Sequence, residues 1–191
     1  MGSTEKYLSD LGLTPLRGSD RPVRGLSFDS RSVVKGSLFA ALPGTQVHGG
    51  RFIGQALENG AHTILTDRAG YEMARDVISS FNAAVVVAQD PRAALALTAA
   101  LWFARQPEKV IAVTGTNGKT SVVQLLTQMK HRLGHRAASI GTLGSGIYRD
   151  EASYAPASNG NTTPDAISMQ YLLAEFVQQE VQQVAYEASS H

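Results

Sequence analysis

Along the chain, short apolar runs alternate with longer stretches in which apolar residues recur every three or four positions. Runs of four or five apolar residues between turn residues predict buried strands, and the three-to-four spacing predicts helices packed on them. In order, residues 4–11 are expected as a short helix, and 24–28 and 38–42 as strands parted by the Lys35-Gly36 turn. Residues 52–59 follow as a helix that Gly60 stops. Then come a strand at 62–66, a helix at 71–80 and a wholly apolar strand at 83–88. This alternation predicts an α/β unit with a largely parallel sheet. Asp90-Pro91 supplies a cap and a first helical residue, so the unit boundary is placed there, giving units 1–89 and 90–191. The second unit is expected to run helix 91–105, strand 110–113 and a helix from Lys119 with Val122, Val123, Leu125, Leu126, Met129 and Leu133 as its apolar positions. Strand 137–141, a polar excursion at 144–161, helix 165–178 and strand 181–187 complete it.

Between the strand at 110–113 and its helix lies the clearest chemistry, Gly115-Thr116-Asn117-Gly118-Lys119-Thr120-Ser121. Strand, glycine turn, Gly-Lys-Thr and helix form the layout of a phosphate cradle. The glycines let backbone N–H groups approach phosphate oxygens, and the helix N-terminus adds unpaired N–H groups and partial positive charge. Lys119 can reach terminal phosphates, and the Thr120 hydroxyl can ligate Mg²⁺. The usual G-x-x-x-x-G-K-[ST] spacing would need glycine at Val113, so this is a variant whose first glycine is Gly115. A nucleoside triphosphate is the expected ligand.

Composition narrows the class further. With 191 residues, 43% of them hydrophobic, the chain can bury enough surface for two units. A formal net charge of +1 gives no electrostatic case for nucleic acid or a membrane surface. The absence of cysteine excludes disulfides, thiolate catalysis and cysteine-ligated metals. The longest apolar run, 93–104, interrupted only by Thr98, is too short to span a bilayer, and no signal-peptide pattern precedes Tyr7. A cytoplasmic protein is expected.

Four clusters carry two readings each. Glu187 ends the last strand, where α/β sheets gather ligand groups and where a Mg²⁺-handling carboxylate belongs; a solvated strand-end acid would look the same. Asp29-Ser30-Arg31 follows a strand and serves equally as turn and capping chemistry. Thr162-Thr163-Pro164-Asp165 makes an ordinary helix start with Thr163 as cap. His48, among Gly44, Gly49 and Gly50, is either a ligand or an incidental loop residue.

Taken in sequence, Asp29-Ser30-Arg31, the run 36–44 (GSLFAALPG), His48-Gly49, GTNGKTS, Asn161-Thr162-Thr163-Pro164-Asp165 and Glu187-Ala188-Ser189-Ser190-His191 resemble the Mur ligases of bacterial cell-wall synthesis. The resemblance covers essentially the whole chain. Its last two motifs are similar to the branch that makes UDP-N-acetylmuramoyl-tripeptide, with the branch adding D-Ala-D-Ala as the alternative. Ser37, Ser121 and Ala188 depart from the commoner Asp, Thr and Val.

The resemblance implies an N-terminal α/β uridine-nucleotide-binding domain followed by an incomplete P-loop-type central ATPase domain, with the C-terminal domain absent. It implies ATP and Mg²⁺, and a ligation in which the side-chain carboxylate of UDP-N-acetylmuramoyl-L-alanyl-D-glutamate is phosphorylated and then attacked by diaminopimelate or L-lysine. Residues 115–121 would hold the phosphates, with Lys119, Glu187 and His191 catalytic and Thr120 and Glu187 on the metal. Phe28, Ser30, Thr45, Gln46 and Val47 would hold the uridine diphosphate end, and Asn161, Thr162, Thr163 and Ser189 the muramoyl-peptide. His191 would lie near the metals. The amine pocket and a second metal's lysine would lie beyond His191, and the full-length enzyme would be monomeric. A small-molecule phosphotransferase would share the loop but not the preceding unit. A regulatory GTPase would need a downstream D-x-x-G and an N-K-x-D, which the sequence lacks. A non-catalytic UDP-sugar-binding module is the remaining rival.

Overall fold

The computed structural model describes residues 5–148 and 162–189. The chain divides into two compact units, Met1–Trp102 and Phe103–His191.

In the first unit, β3 (Gly25–Ser27), β4 (Ser37–Ala41), β5 (Thr63–Thr66) and β6 (Ala84–Val87) form a parallel sheet in chain order, while β1 (Lys6–Tyr7) and β2 (Pro22–Val23) make a small antiparallel pair. Every residue of β4 and β5 is buried, as a sheet covered on both faces requires. Phe39, Ala41, Ile64 and Val85 share one face and pack with Ile53, Ala56 and Leu57 of α1 (Ile53–Glu58). The helix expected at 4–11 is instead β1 and one 3₁₀ turn, Ser9–Leu11. Pairing of Lys6 and Tyr7 with Val23 and Pro22, together with a bond from the Tyr7 N–H to Asp10, outcompetes helical pairing. The helix expected at 71–80 is two short helices, α2 (Arg68–Met73) and α3 (Arg75–Ser80). Asp67 caps the first, and Ala74 breaks the run with φ −113°. The division between units falls at the end of α4 (Pro91–Phe103), so this helix belongs almost wholly to the first unit. Asp90 accepts from the Arg92 and Ala93 N–H groups at 3.0 Å and starts it.

The second unit is built on β7 (Lys109–Val113), β8 (Ala137–Gly141), β9 (Gly144–Ile147) and β10 (Gln183–Glu187), in the order β7-β10-β8-β9. The chain's last strand is thus inserted between the first two, parallel to both. α5 (Lys119–Arg132) packs on β10 and β8. Leu173 and Phe176 of α6 (Ala166–Gln178) pack with Ala138, Ile140 and Val184 on the other face. β9 lies inside what the sequence presented as a polar excursion. It pairs antiparallel with β8 across the two-residue turn Thr142-Leu143, and its Gly-Ser-Gly opening hides it from any apolar pattern. The helix from Lys119 buries Val123 and Thr127, whereas Val122, Leu125, Met129 and Leu133 stand 44–68% exposed. Its apolar stripe therefore faces away from this sheet, opposite to the usual expectation for an amphipathic helix.

Candidate functional site

The turn between β7 and α5 needs glycine twice. Gly115 and Gly118 have φ of 148° and 78°, which L side chains rarely adopt. Gly118 occupies the cap position of α5 and no side chain caps that helix. Asp67 and Asp165, by contrast, cap α2 and α6 with their carboxylates. The first N–H groups of α5 are thus left for a ligand, and the helix dipole favours an anion there. Lys119 lies back over the loop, its ammonium donating to the Gly115 carbonyl at 2.8 Å and keeping two further N–H groups. Thr116, Asn117 and Ser121 are exposed around it.

The two periodicities of strand and helix bring the next residue in. Gln183, Ala185 and Glu187 alternate onto the face of β10 that meets α5, while Thr120, Val123 and Thr127 follow helical spacing on the face of α5 that meets β10. The Thr120 hydroxyl donates to Glu187 Oε2 at 3.0 Å. Glu187 is 2% exposed, not a solvated strand end, and accepts further bonds from the Thr142 N–H (2.8 Å) and hydroxyl (3.2 Å). Among the described residues no cation pairs with it. A buried carboxylate and a hydroxyl 3.0 Å apart beside the uncapped N-terminus of α5 form a hard oxygen donor set that fits Mg²⁺.

A second polar chain runs outward from the same strand end. The Thr163 hydroxyl donates to the Glu187 carbonyl at 2.9 Å, accepts the Ser189 N–H at 2.9 Å, and lies 2.8 Å from the Ser189 hydroxyl. Thr162 lies 3.2 Å from the Thr142 hydroxyl. Thr163 does not cap α6; Asp165 does, accepting from the Ile167 and Ser168 N–H groups at 3.0 Å. That frees both threonines for the site. Asn161 and His191 lie outside the described residues.

In the first unit, the candidate residues gather at the carboxyl ends of β3 and β4. Asp29 caps the 3₁₀ turn Ser30–Ser32, and the Arg31 guanidinium bonding both of its oxygens holds its carboxyl down at about 2. Asp29 and Arg31 thus satisfy each other. Ser30 is buried, its hydroxyl donating to Gln55 of α1 at 2.6 Å, which leaves its oxygen lone pairs as the remaining hydrogen-bonding capacity. Phe28, Thr45, Gln46 and Val47 are exposed on the same edge.

The family model "Mur ligase family, catalytic domain" matches residues 22–103, and "Mur ligase middle domain" matches 113–191. The chain belongs to the Mur ligase family. It is 42% identical over its whole length to the UDP-N-acetylmuramoyl-L-alanyl-D-glutamate--2,6-diaminopimelate ligase of Zymomonas mobilis. It is also 42% identical, over 97% of its length, to the protein of the same name from Caulobacter vibrioides. A solved structure of a ligase of that name superimposes with a TM-score of 0.78 at 27% identity, covering 98% of the chain. The chain spans 37% of the length of each of these three proteins. Among the described residues no helix is long and apolar enough to cross a membrane.

One residue of this Mur ligase chain, Thr142, escaped the sequence reading. Thr142 gives Glu187 two of the three hydrogen bonds its carboxylate accepts among the described residues, and its only signal was its place after Gly141 at the end of a strand. His48 is not incidental: its Nδ1 accepts from the Gly50 N–H at 2.9 Å and its Nε2 lies 3.2 Å from the Asp67 carboxylate. Residues 44–50 are thereby tied to the start of α2.

Proposed function

We propose that this chain supplies the uridine-nucleotide-binding and ATP-binding parts of a ligase that joins 2,6-diaminopimelate to UDP-N-acetylmuramoyl-L-alanyl-D-glutamate. The observation that carries the reading is the pairing of an uncapped α5 N-terminus with Thr120 and the buried Glu187. The names of the relatives support the choice of substrates and of diaminopimelate over L-lysine.

The chemistry must bring a carboxylate against a triphosphate, two anions, so cations and N–H donors have to offset the phosphoryl charge. Lys119 and the backbone N–H groups at 118–121 would hold the β- and γ-phosphates. Mg²⁺ bound by Thr120 and Glu187 would neutralise charge that develops on the phosphoryl oxygens. Thr162, Thr163 and Ser189, linked to Glu187 through the Thr163 hydroxyl, would hold the muramoyl-peptide so that its carboxylate faces the γ-phosphate. Phe28, Ser30 and Thr45–Val47 would bind the uridine diphosphate end.

The test is equilibrium binding of Mg²⁺-ATP, Mg²⁺-GTP and UDP-N-acetylmuramoyl-L-alanyl-D-glutamate to the chain and to Lys119→Ala. A charge-assisted contact contributes about 1.5–3 kcal/mol, so the variant is expected to bind ATP roughly 10–150-fold more weakly and the uridine nucleotide unchanged. Undiminished ATP affinity in the variant, or no binding of the muramoyl-dipeptide to the parent, would overturn the reading.

A further inference from the structure

The amino ends of the first unit's strands carry a cavity that the ligation does not use. It has a volume of about 440 Å³, and its lining includes Arg21, Lys35, Glu58, His62, Phe81 and Asn82. The candidate uridine-nucleotide residues lie at the opposite, carboxyl ends of the same strands. Backbone bonds knit the rim: the Arg24 N–H donates to the Gly36 carbonyl, the Gly36 N–H to Gly60, the His62 N–H to Ser37 and the Ala84 N–H to His62. The side chains it carries therefore project from a fixed frame.

Three observations point to an anion site. Arg21 is anchored through Nη1 to the Asn82 carbonyl at 2.6 Å, yet its Nε is buried with no partner among the described residues. The Nδ1 of His62 is likewise buried and unpartnered. Polar atoms out of reach of water are normally satisfied, and both orphans belong to side chains that line this one cavity. The charge points the same way. Burial, and then the positive charges of Arg21, Arg24 and Lys35, hold His62 below the usual histidine range. Glu5 pairs with Arg24, and Glu58 is the one acid in the cavity lining.

We propose that this cavity binds a small oxyanion of the phosphate class. Arg21 and Lys35 supply the charge, and a small turn of the Arg21 guanidinium and the His62 ring toward the anion lets their unpartnered nitrogens supply directed hydrogen bonds. A guanidinium presents its donors in a fixed fork that suits tetrahedral oxyanions, and the Leu57 and Phe81 walls leave room for a small organic group on the phosphate.

The experiment is an NMR titration of the whole 191-residue chain carrying Lys119→Ala, which removes a cation from the phosphate loop. Inorganic phosphate and glycerol phosphate are added in separate arms against sodium chloride at matched ionic strength, following the His62 ring and the Gly60, His62 and Asn82 amides. Saturable shifts confined to those groups are expected, with the His62 ring titrating at higher pH when phosphate is bound. Lys35→Gln is expected to weaken binding several-fold, and Arg21→Gln at least tenfold. Lys35 lies on an exposed turn, so its variant keeps the fold even if removal of the Arg21–Asn82 bond does not. Tighter binding of the ester assigns the site to a phosphorylated metabolite, and equal binding assigns it to phosphate itself. Shifts that never saturate, that chloride reproduces, or that survive intact in Lys35→Gln would overturn the proposal.

Discussion

Replacing Gly141 by alanine tests how tightly the buried Glu187 carboxylate is held. The β8–β10 register pairs Ile140 with Tyr186, which brings the next residues, Gly141 and Glu187, side by side. A Cβ on Gly141 would lie 2.2 Å from Glu187 Oε1, 2.7 Å from its Cδ and 2.8 Å from its Cγ. Normal contact needs about 3.5 Å, so the carboxylate must retreat by about 1 Å. It is 2% exposed and bonded to Thr120 and Thr142, so it cannot retreat without giving up at least one of those bonds. Overpacking of this kind costs about 1–3 kcal/mol, and each lost bond to a charged group about 1.5–3 kcal/mol more. The variant is expected to melt several degrees lower and to bind Mg²⁺-ATP about 10–100-fold more weakly. Thermal melts and a fluorescent-nucleotide titration at fixed Mg²⁺ measure both. Adding Glu187→Asp removes one methylene, so the double variant is expected to melt above Gly141→Ala alone. A Gly141→Ala protein with parental melting and nucleotide affinity would refute the argument that this crowding positions Glu187.

The other predictions concern the first unit. His48→Ala removes a cap and the tie to Asp67, and is expected to raise the Kd for UDP-N-acetylmuramoyl-L-alanyl-D-glutamate while leaving the Kd for Mg²⁺-ATP unchanged; a change in ATP binding alone would contradict it. Burial pushes the Asp67 carboxyl up, but the Gly70 N–H and His48 outweigh it and leave it below the usual aspartate range. A lowered folded-state value means that its stabilisation is complete above the unfolded value and is lost as pH falls through the folded one. Melts from pH 5 downward should therefore show an acid-side loss that Asp67→Asn reduces, and identical slopes would count against the assignment. Residues 1–102 are expected to fold cooperatively when expressed alone. Residues 1–89 are not, because they lack α4 with its buried Leu95, Thr98 and Ala99; circular dichroism melts distinguish the two.

The strand–glycine turn–helix layout at 110–132 was legible because all of its determinants lie within one strand end, one turn and one helix start. The φ of Gly118, the bare N-terminus of α5 and the reach of Lys119 are set by neighbours a few residues away. The Asp90 cap and the parallel pattern of 38–42, 62–66 and 83–88 were readable for the same reason. Period and capping are local properties of a chain.

Tertiary structure alone decided which distant residues meet. Thr120 and Glu187 are 67 positions apart and touch because β10 slots between β7 and β8, a strand order that no local pattern encodes. Thr142 joined the site by the same insertion. Of the two readings of Thr163, the capping one fell because Asp165 takes the Ile167 and Ser168 N–H groups of α6. The apolar stripe of α5 and the buried orphans Arg21 Nε and His62 Nδ1 were invisible for a related reason. Sequence periodicity shows that a helix has an apolar side, but which face meets the sheet, and which polar atoms are shut away from water, follow from how the whole unit excludes solvent.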